Sequence, residues 1–210
     1  MSSERQEKKK DNTRQALITA ATKLFAERGI YQTTIDDITE TADLGKGTFY
    51  KHFPSREAMV AAALRRGFNL LLADLANKKE DASSDLAAFL LERHLAFYYR
   101  YPDYLLLFHQ SRGWLKLAHE KENPIAEEFK IYLRALEEEI SAQHPQSWLS
   151  EHELTNKALL IAGAISGVLS FAFTLGNGLP LEPALTNQLL NQVRSVLPQA
   201  PNPQPTIVPV

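Results

Sequence analysis

The chain has 210 residues, of which 44% are hydrophobic and 23% charged, and none is cysteine. This length and balance fit one large globular domain or a small head on a larger body. The missing cysteine excludes a disulfide framework, a thiolate metal site and a cysteine nucleophile. The formal net charge of −2 is unevenly spread, with ten Lys or Arg against eight Asp or Glu in residues 1–56 and thirteen against seventeen in the rest. A weakly basic start on an acidic remainder implies one localised anion contact.

The opening MSSERQEKKK is charged and lacks an apolar stretch, so no secretory signal is expected and the cytoplasm is the expected compartment. Residues 1–12, with Lys8–Lys10, are expected to form a flexible basic arm adding a salt-sensitive contribution. Ala16, Leu17, Ala20, Ala21, Leu24 and Phe25 then recur as one helical stripe, ended by Gly29. Thr34 offers an N-cap with Asp37 three residues on, and Ile35, Ile38 and Ala42 share a face of a short second helix. Residues 42–45 leave room only for a turn. Gly45–Phe53 reads as a third short helix with Phe49 and Phe53 at i, i+4. Pro54 breaks the chain, and Ser55 caps a connecting helix over 55–78 with Val60, Leu64, Phe68, Leu71 and Leu75 inward. Lys78–Ser84 reads as a linker. Further helices are expected at 84–100, 102–118, 123–144, 151–176 and 182–197, with prolines near their breaks. Residues 198–210 are proline-rich and expected to be a disordered tail. The fold class is all-α, with a head over 13–56 and a body over 79–197.

A helix, a turn and a short second helix have the size of a helix-turn-helix, whose second helix enters the major groove of DNA. With Phe49 and Phe53 inward, Gly47, Thr48 and Lys51 fall on the opposite half of the third helix. Lys46, Gly47, Thr48 and Lys51 are the candidate base contacts: the glycine admits close approach, the threonine offers a hydroxyl and a methyl, and the lysines reach guanine or phosphate. Thr33, Thr34, Tyr50, His52 and Arg56 are candidate phosphate contacts, which position a protein without reading sequence. A packed three-helix unit with a merely solvated basic face is the alternative. Gly45-Lys46-Gly47-Thr48 superficially resembles the end of a phosphate-binding loop. That motif needs Ser or Thr directly after the lysine and a glycine at 40, where the chain has Gly47 and Glu40.

The segment Thr33-Thr34-Ile35-x-x-Ile38, then Ala42-Asp43-Leu44-Gly45-Lys46-Gly47-Thr48-Phe49-Tyr50-Lys51-His52-Phe53, then Ser55-Arg56-Glu57, resembles the head of the TetR family of bacterial regulators. Upstream, Ala20-Ala21-x-x-Leu24-Phe25-x-x-x-Gly29 is similar to that family's first helix. The likeness covers about residues 13–60. Asp43 stands where the family usually has glycine, and Gly45 where serine is common. An aspartate tolerates a left-handed turn, and the missing serine costs the helix a side-chain cap. The resemblance implies a homodimer, an all-α body and repression of a DNA operator relieved by a small-molecule effector. It also implies a four-helix dimer interface built from the last two long helices, with Gly163, Gly167, Phe171, Leu189 and Val193 as candidates.

Residues 158–175, ALLIAGAISGVLSFAFTL, carry no charge and reach the lower length limit for a membrane span, with Gly163 and Gly167 in a GxxxG spacing. A helix apolar all round is equally expected where one face meets its own core and the other a partner subunit, and no membrane partner is expected here. A membrane-anchored or scaffold protein is the alternative, and an activator of the same fold is another. The aromatic middle suggests a ligand cavity, with Phe97, Tyr101, Tyr104, Phe108, Trp114, Phe129, Tyr132 and Phe171 as apolar candidates. His109, Gln110 and Arg112 are the polar groups available to orient a ligand. The six histidines show no zinc-site spacing, so no metal, cofactor or catalytic residue is expected.

Overall fold

The computed structural model describes residues 2–77, 85–117, 123–143, 149–176 and 178–197, and among these every regular element is an α-helix. The head holds α1 (Ser2–Arg28), α2 (Ile35–Thr41) and α3 (Lys46–His52), and α4 (Arg56–Ala76) runs from it into the body. The body adds α5 (Leu86–Arg100), α6 (Pro102–Leu117), α7 (Pro124–Gln143), α8 (Glu151–Leu175) and α9 (Pro183–Val196).

The helix ends follow from local chemistry. Gly29 stops α1 at φ +89°, a left-handed conformation that glycine adopts without a Cβ clash. Thr34 and Asp37 form a reciprocal capping box on α2, and Ser150 and Glu153 do the same on α8. Ser55 accepts from the amide of Ala58 at 3.2 Å, and Asp85 accepts from those of Ala87 and Ala88. Asp43 sits at φ 54°, so the left-handed turn before α3 is made by an aspartate. Gly45 gives α3 no side-chain cap.

One expected element is replaced. Residues 2–12 are not a flexible arm; they are the first turns of α1. Glu4, Gln6, Glu7 and Lys8–Lys10 are all good helix formers, and an acid near the N-terminus suits the helix dipole. The linker expected at 78–84 and the tail expected at 198–210 lie outside the described residues.

The core is continuous from head to body. Leu17, Ala21, Leu24 and Phe25 of α1 are buried together with Ile38, Phe49 and Phe53. On α4, Val60, Leu64, Phe68, Leu71 and Leu75 all point inward, and this helix packs on α1, α5, α6 and α7. Arg65 of α4 gives Nε and Nη2 to one oxygen of the buried Glu128 of α7, at 2.9 and 2.6 Å. That guanidinium answers a carboxylate which would otherwise be buried unpaired, a condition costing several kcal/mol.

Helix α8 is long and apolar enough, by length and composition, to cross a membrane; here it packs against α6, α7 and α9. Its exposed stripe contains Leu160, Gly163, Phe171 and Leu175, the last two 62% and 80% exposed. Gly167 lies on the same face, partly covered. Leu189 and Val193 do not join it: both are buried inside the subunit on α9, which packs against α5 and α8. They are corrected from interface positions to core, because the apolar stripe of α9 is used by its own chain.

His94 of α5 is fully enclosed. Its Nδ1 donates to the Leu90 carbonyl at 2.6 Å, which leaves Nε2 to accept from the Tyr132 hydroxyl at 2.8 Å. Burial pushes this imidazole down to about 4, with the Leu90 bond opposing. Protonation therefore favours the unfolded chain, whose histidine titrates near pH 6.5. The contribution is whole above pH 6.5 and is lost as pH falls from there to about 4, by roughly 3 kcal/mol. Thermal unfolding across that window is expected to show a falling Tm, and His94→Gln is expected to flatten the fall while lowering Tm at pH 7.5. An unchanged slope in the variant would assign the loss elsewhere.

Candidate nucleic-acid interface and ligand cavity

Helix α3 is pinned by its two phenylalanines. Phe49 and Phe53 are buried with centroids 5.6 Å apart, and the Arg14 guanidinium of α1 lies 5.0 Å over the Phe53 ring. The preceding turn is closed by Leu44 N donating to Thr39 O at 2.8 Å. Register then sends Gly47 and Lys51 to the exposed side, with Thr48 half-exposed beside them. Tyr50 is 52% exposed, its ring edge-on to Phe49. Lys51 makes no ion pair among the described residues. Lys46 is exposed on the same helix but meets both oxygens of Asp36, at 2.8 and 2.9 Å. The hydrogen bond to Asp36 raises the lysine's pKa, and the pair is a solvent-exposed one of little stabilising value.

The expected phosphate contacts divide. Thr33 is withdrawn: its side chain is fully buried and its hydroxyl donates to the carbonyls of Gly29 and Leu24, at 2.9 and 3.3 Å. It closes the α1–α2 turn from within. Thr34 is exposed, but its amide and hydroxyl both donate to Asp37, at 2.8 and 2.6 Å. Arg56 is also withdrawn. Its guanidinium lies 5.5 Å over the Trp114 ring of α6, and Nε and Nη2 are enclosed without a hydrogen-bond partner. It faces the body. His52 is half-buried at the end of α3, and burial, then Lys10 and Arg14, lower its pKa. Helix α1 thus carries Lys10, in the stretch expected to be an arm, and Arg14, within the expected head, near the end of α3.

On the body side of the head, α6 grips the α1–α2 turn. Gln110 accepts from the Ile30 amide at 2.9 Å and donates to the Phe25 carbonyl at 3.2 Å. One turn later, Trp114 meets Tyr31 at 5.4 Å between ring centroids and lies under Arg56.

A cavity of about 280 Å³ opens between α4, α5, α6, α7 and α8. Of the expected residues, it brings together Phe108, Arg112, Phe129 and Tyr132. The others do not line it. Phe97 and Tyr104 are buried core, with Tyr101 packed against both. His109 is exposed, Trp114 belongs to the head contact, and Phe171 lies on the outer face of α8. Sequence reasoning missed Phe68 of α4, Tyr98 of α5, Leu133 of α7, and Leu159, Ala162 and Ser166 of α8. Gly163, expected in the dimer face, also lines it. No cluster of His, Asp or Glu able to hold a metal is found among the described residues.

A short helix, a tight turn and an exposed, acid-free second helix seated on a buried aromatic pair define a helix-turn-helix head, here joined to a helical body with a cavity. Residues 17–63 match the family model described as bacterial regulatory proteins, tetR family. That match covers the head and the start of α4 alone. It is 40% identical over 70 residues to the HTH-type transcriptional repressor DhaR of Mycobacterium sp. strain GP1, covering 33% of this chain and 35% of that protein. It is 45% identical over 56 residues to the HTH-type transcriptional repressor KstR2 of Rhodococcus jostii RHA1, covering 27% and 28%. The matched stretch thus spans about a third of these curated relatives. Among solved structures, GusR of Salmonella enterica aligns at TM-score 0.69 and 21% identity, over 89% of this chain and 95% of that one. FadR of Bacillus subtilis in complex with stearoyl-CoA aligns at 0.68 and 19%, over 87% and 98%.

The division between Lys51 and Arg56 is testable by salt titration. Lys51→Ala is expected to weaken binding to every duplex and to lower the slope of log affinity against log salt by about one. Arg56→Met is expected to leave that slope unchanged and to lower Tm instead. Fluorescence anisotropy on a labelled duplex over a series of KCl concentrations reads both; equal slope changes would return Arg56 to the phosphate contacts.

Proposed function

We propose that the chain is a cytoplasmic, homodimeric, ligand-responsive transcriptional repressor that reads a palindromic operator. The observation that carries this is α3: a short helix locked by Phe49 and Phe53, presenting Gly47, Thr48, Tyr50 and Lys51 with no acid on the same helix. The head over 13–56 reads DNA, and the body over 79–197 dimerises and binds the effector. Thr48 and Lys51 face base edges, with Lys46 joining them once it leaves Asp36. Tyr50 and His52 hold phosphates. Thr34 adds a phosphate contact where the backbone of a competing anion displaces Asp37. The exposed apolar stripe of α8 is the surface that a second copy covers, and two-fold symmetry sets two heads on two half-sites. An activator of this architecture differs only in where its operator lies.

The switch rests on α6. Phe108 and Arg112 lie within about 40° of each other around that helix, whereas Gln110 and Trp114 lie on roughly the opposite side. One face lines the cavity and the other holds the head. An effector that prefers one position of α6 therefore prefers one spacing of the two heads, by differential affinity for two states.

Two experiments test this reading. In selection of bound genomic fragments, Thr48→Ala is expected to change the preferred sequence, whereas Tyr50→Phe weakens all sites alike; unaltered binding in both would remove the contact map. In light scattering, Phe171→Glu is expected to shift a dimer to monomer and to abolish binding to paired half-sites. A dimer that survives with operator affinity intact would place the interface elsewhere.

A further inference from the structure

We propose that the cavity selects a small apolar monocarboxylate, its acid group held by Arg112; this rests on the reading of the cavity as the effector site. The walls are almost wholly apolar, and among the described residues Arg112 is the one cationic side chain lining them. Its guanidinium makes a single hydrogen bond, from Nη2 to the Ser166 hydroxyl, and no ion pair among the described residues. A guanidinium carries five N–H donors in a planar fork, so most of its capacity is unspent. Three other arginines of α4, α5 and α9 are answered by acids: Arg65 by Glu128, Arg100 by Asp74 and Arg194 by Asp85. Ser166 does not compete for the anion, because its own proton goes to the Ala162 carbonyl.

The chemistry of the ligand follows. A cation beside a low-dielectric cavity strongly favours an anion over a neutral group of equal shape. One positive charge lines the cavity among the described residues, so a second negative charge on the ligand would enter uncompensated. That selects a carboxylate over a phosphate dianion. The Tyr132 hydroxyl gives its proton to His94, so it offers the acid group no donor. Phe68 stacks against Phe108 at 4.2 Å and Tyr132 at 5.1 Å, with interplanar angles of 15° and 13°. This row of near-parallel rings gives the remainder of the ligand a flat apolar wall. At interior packing density, about 280 Å³ holds a molecule of roughly ten non-hydrogen atoms.

The test uses the full-length protein and 3-phenylpropionate, 3-phenylpropionamide and 2-phenylethylphosphonate in titration calorimetry, at an alkaline pH where the phosphonate is a dianion. The carboxylate is expected to bind once per chain, about tenfold or more tighter than the amide, and tighter than the phosphonate. Arg112→Met, with its fold checked by circular dichroism, is expected to bind acid and amide equally; Arg112→Lys keeps part of the preference. No binding of the carboxylate at about millimolar concentration, an amide or phosphonate that binds as tightly, or discrimination retained in Arg112→Met overturns the assignment. The comparison of acid with amide on the unaltered protein stands even where a variant fails to fold. Operator release, read by anisotropy, separates the two readings. Carboxylate binding without release supports the ligand class and removes the effector role. Release by acid and amide alike overturns the ligand class and keeps the regulator.

Discussion

Gln110 commits both ends of its side-chain amide to the backbone of the head. Its oxygen takes the Ile30 amide and its nitrogen gives to the Phe25 carbonyl. The Phe25 carbonyl also takes the Gly29 amide at 3.0 Å, whereas the Ile30 amide, just past the end of α1, has Gln110 as its acceptor. The body thus completes the hydrogen bonding of the head. Trp114 extends the same contact by packing on Tyr31 and lying under Arg56. The aim of α3, and so of every side chain on it, depends on this junction. An α6 that moved without the head would leave the amide of the buried Ile30 without this partner, at about 1–3 kcal/mol.

The connecting helix supplies the second tie. Arg65 and Glu128 fix α4 to α7, while Arg66 gives to the Thr19 hydroxyl at 2.6 Å and fixes the same helix to α1. Consecutive arginines on α4 therefore face different partners, one in the body and one in the head. The Arg65 side chain is largely solvent-exposed, but Glu128 is not, so the pair matters mainly for what its loss would leave behind: a carboxylate sealed among apolar neighbours.

Much of the fold was legible because its signals are local. The caps at Thr34 and Ser55, the glycine at 29 and the prolines near the helix breaks each act within a turn of their own position, and the helix ends beside them fall within a residue or two of expectation. The register of α3 was legible too, since Phe49 and Phe53 fix which half of a short helix faces out. What failed was the identity of the neighbour. Thr33 and Thr34 are adjacent and chemically alike, yet one turns into the core and the other to solvent; only the path of the turn separates them. Leu189 and Val193 form a true apolar stripe, but a stripe does not say whether it meets its own chain or another. Arg56 and Trp114 are 58 positions apart in sequence, and no periodicity links them. The same limit hid Phe68, which reads as core and is core, while it also lines the cavity.

Gly67 sits on α4 against the rings of Tyr104 and Phe108. A Cβ built there lies 2.4 Å from Tyr104 Cδ1 and 2.8 Å from Phe108 Cζ, closer than packed atoms allow. Phe108 also lines the cavity. The ring for which Gly67 leaves room is thus one of the cavity's walls, and the glycine stands on the helix that runs from the head into the body. A methyl group at 67 would displace that ring, so the shape of the cavity and the packing of α4 are one steric condition.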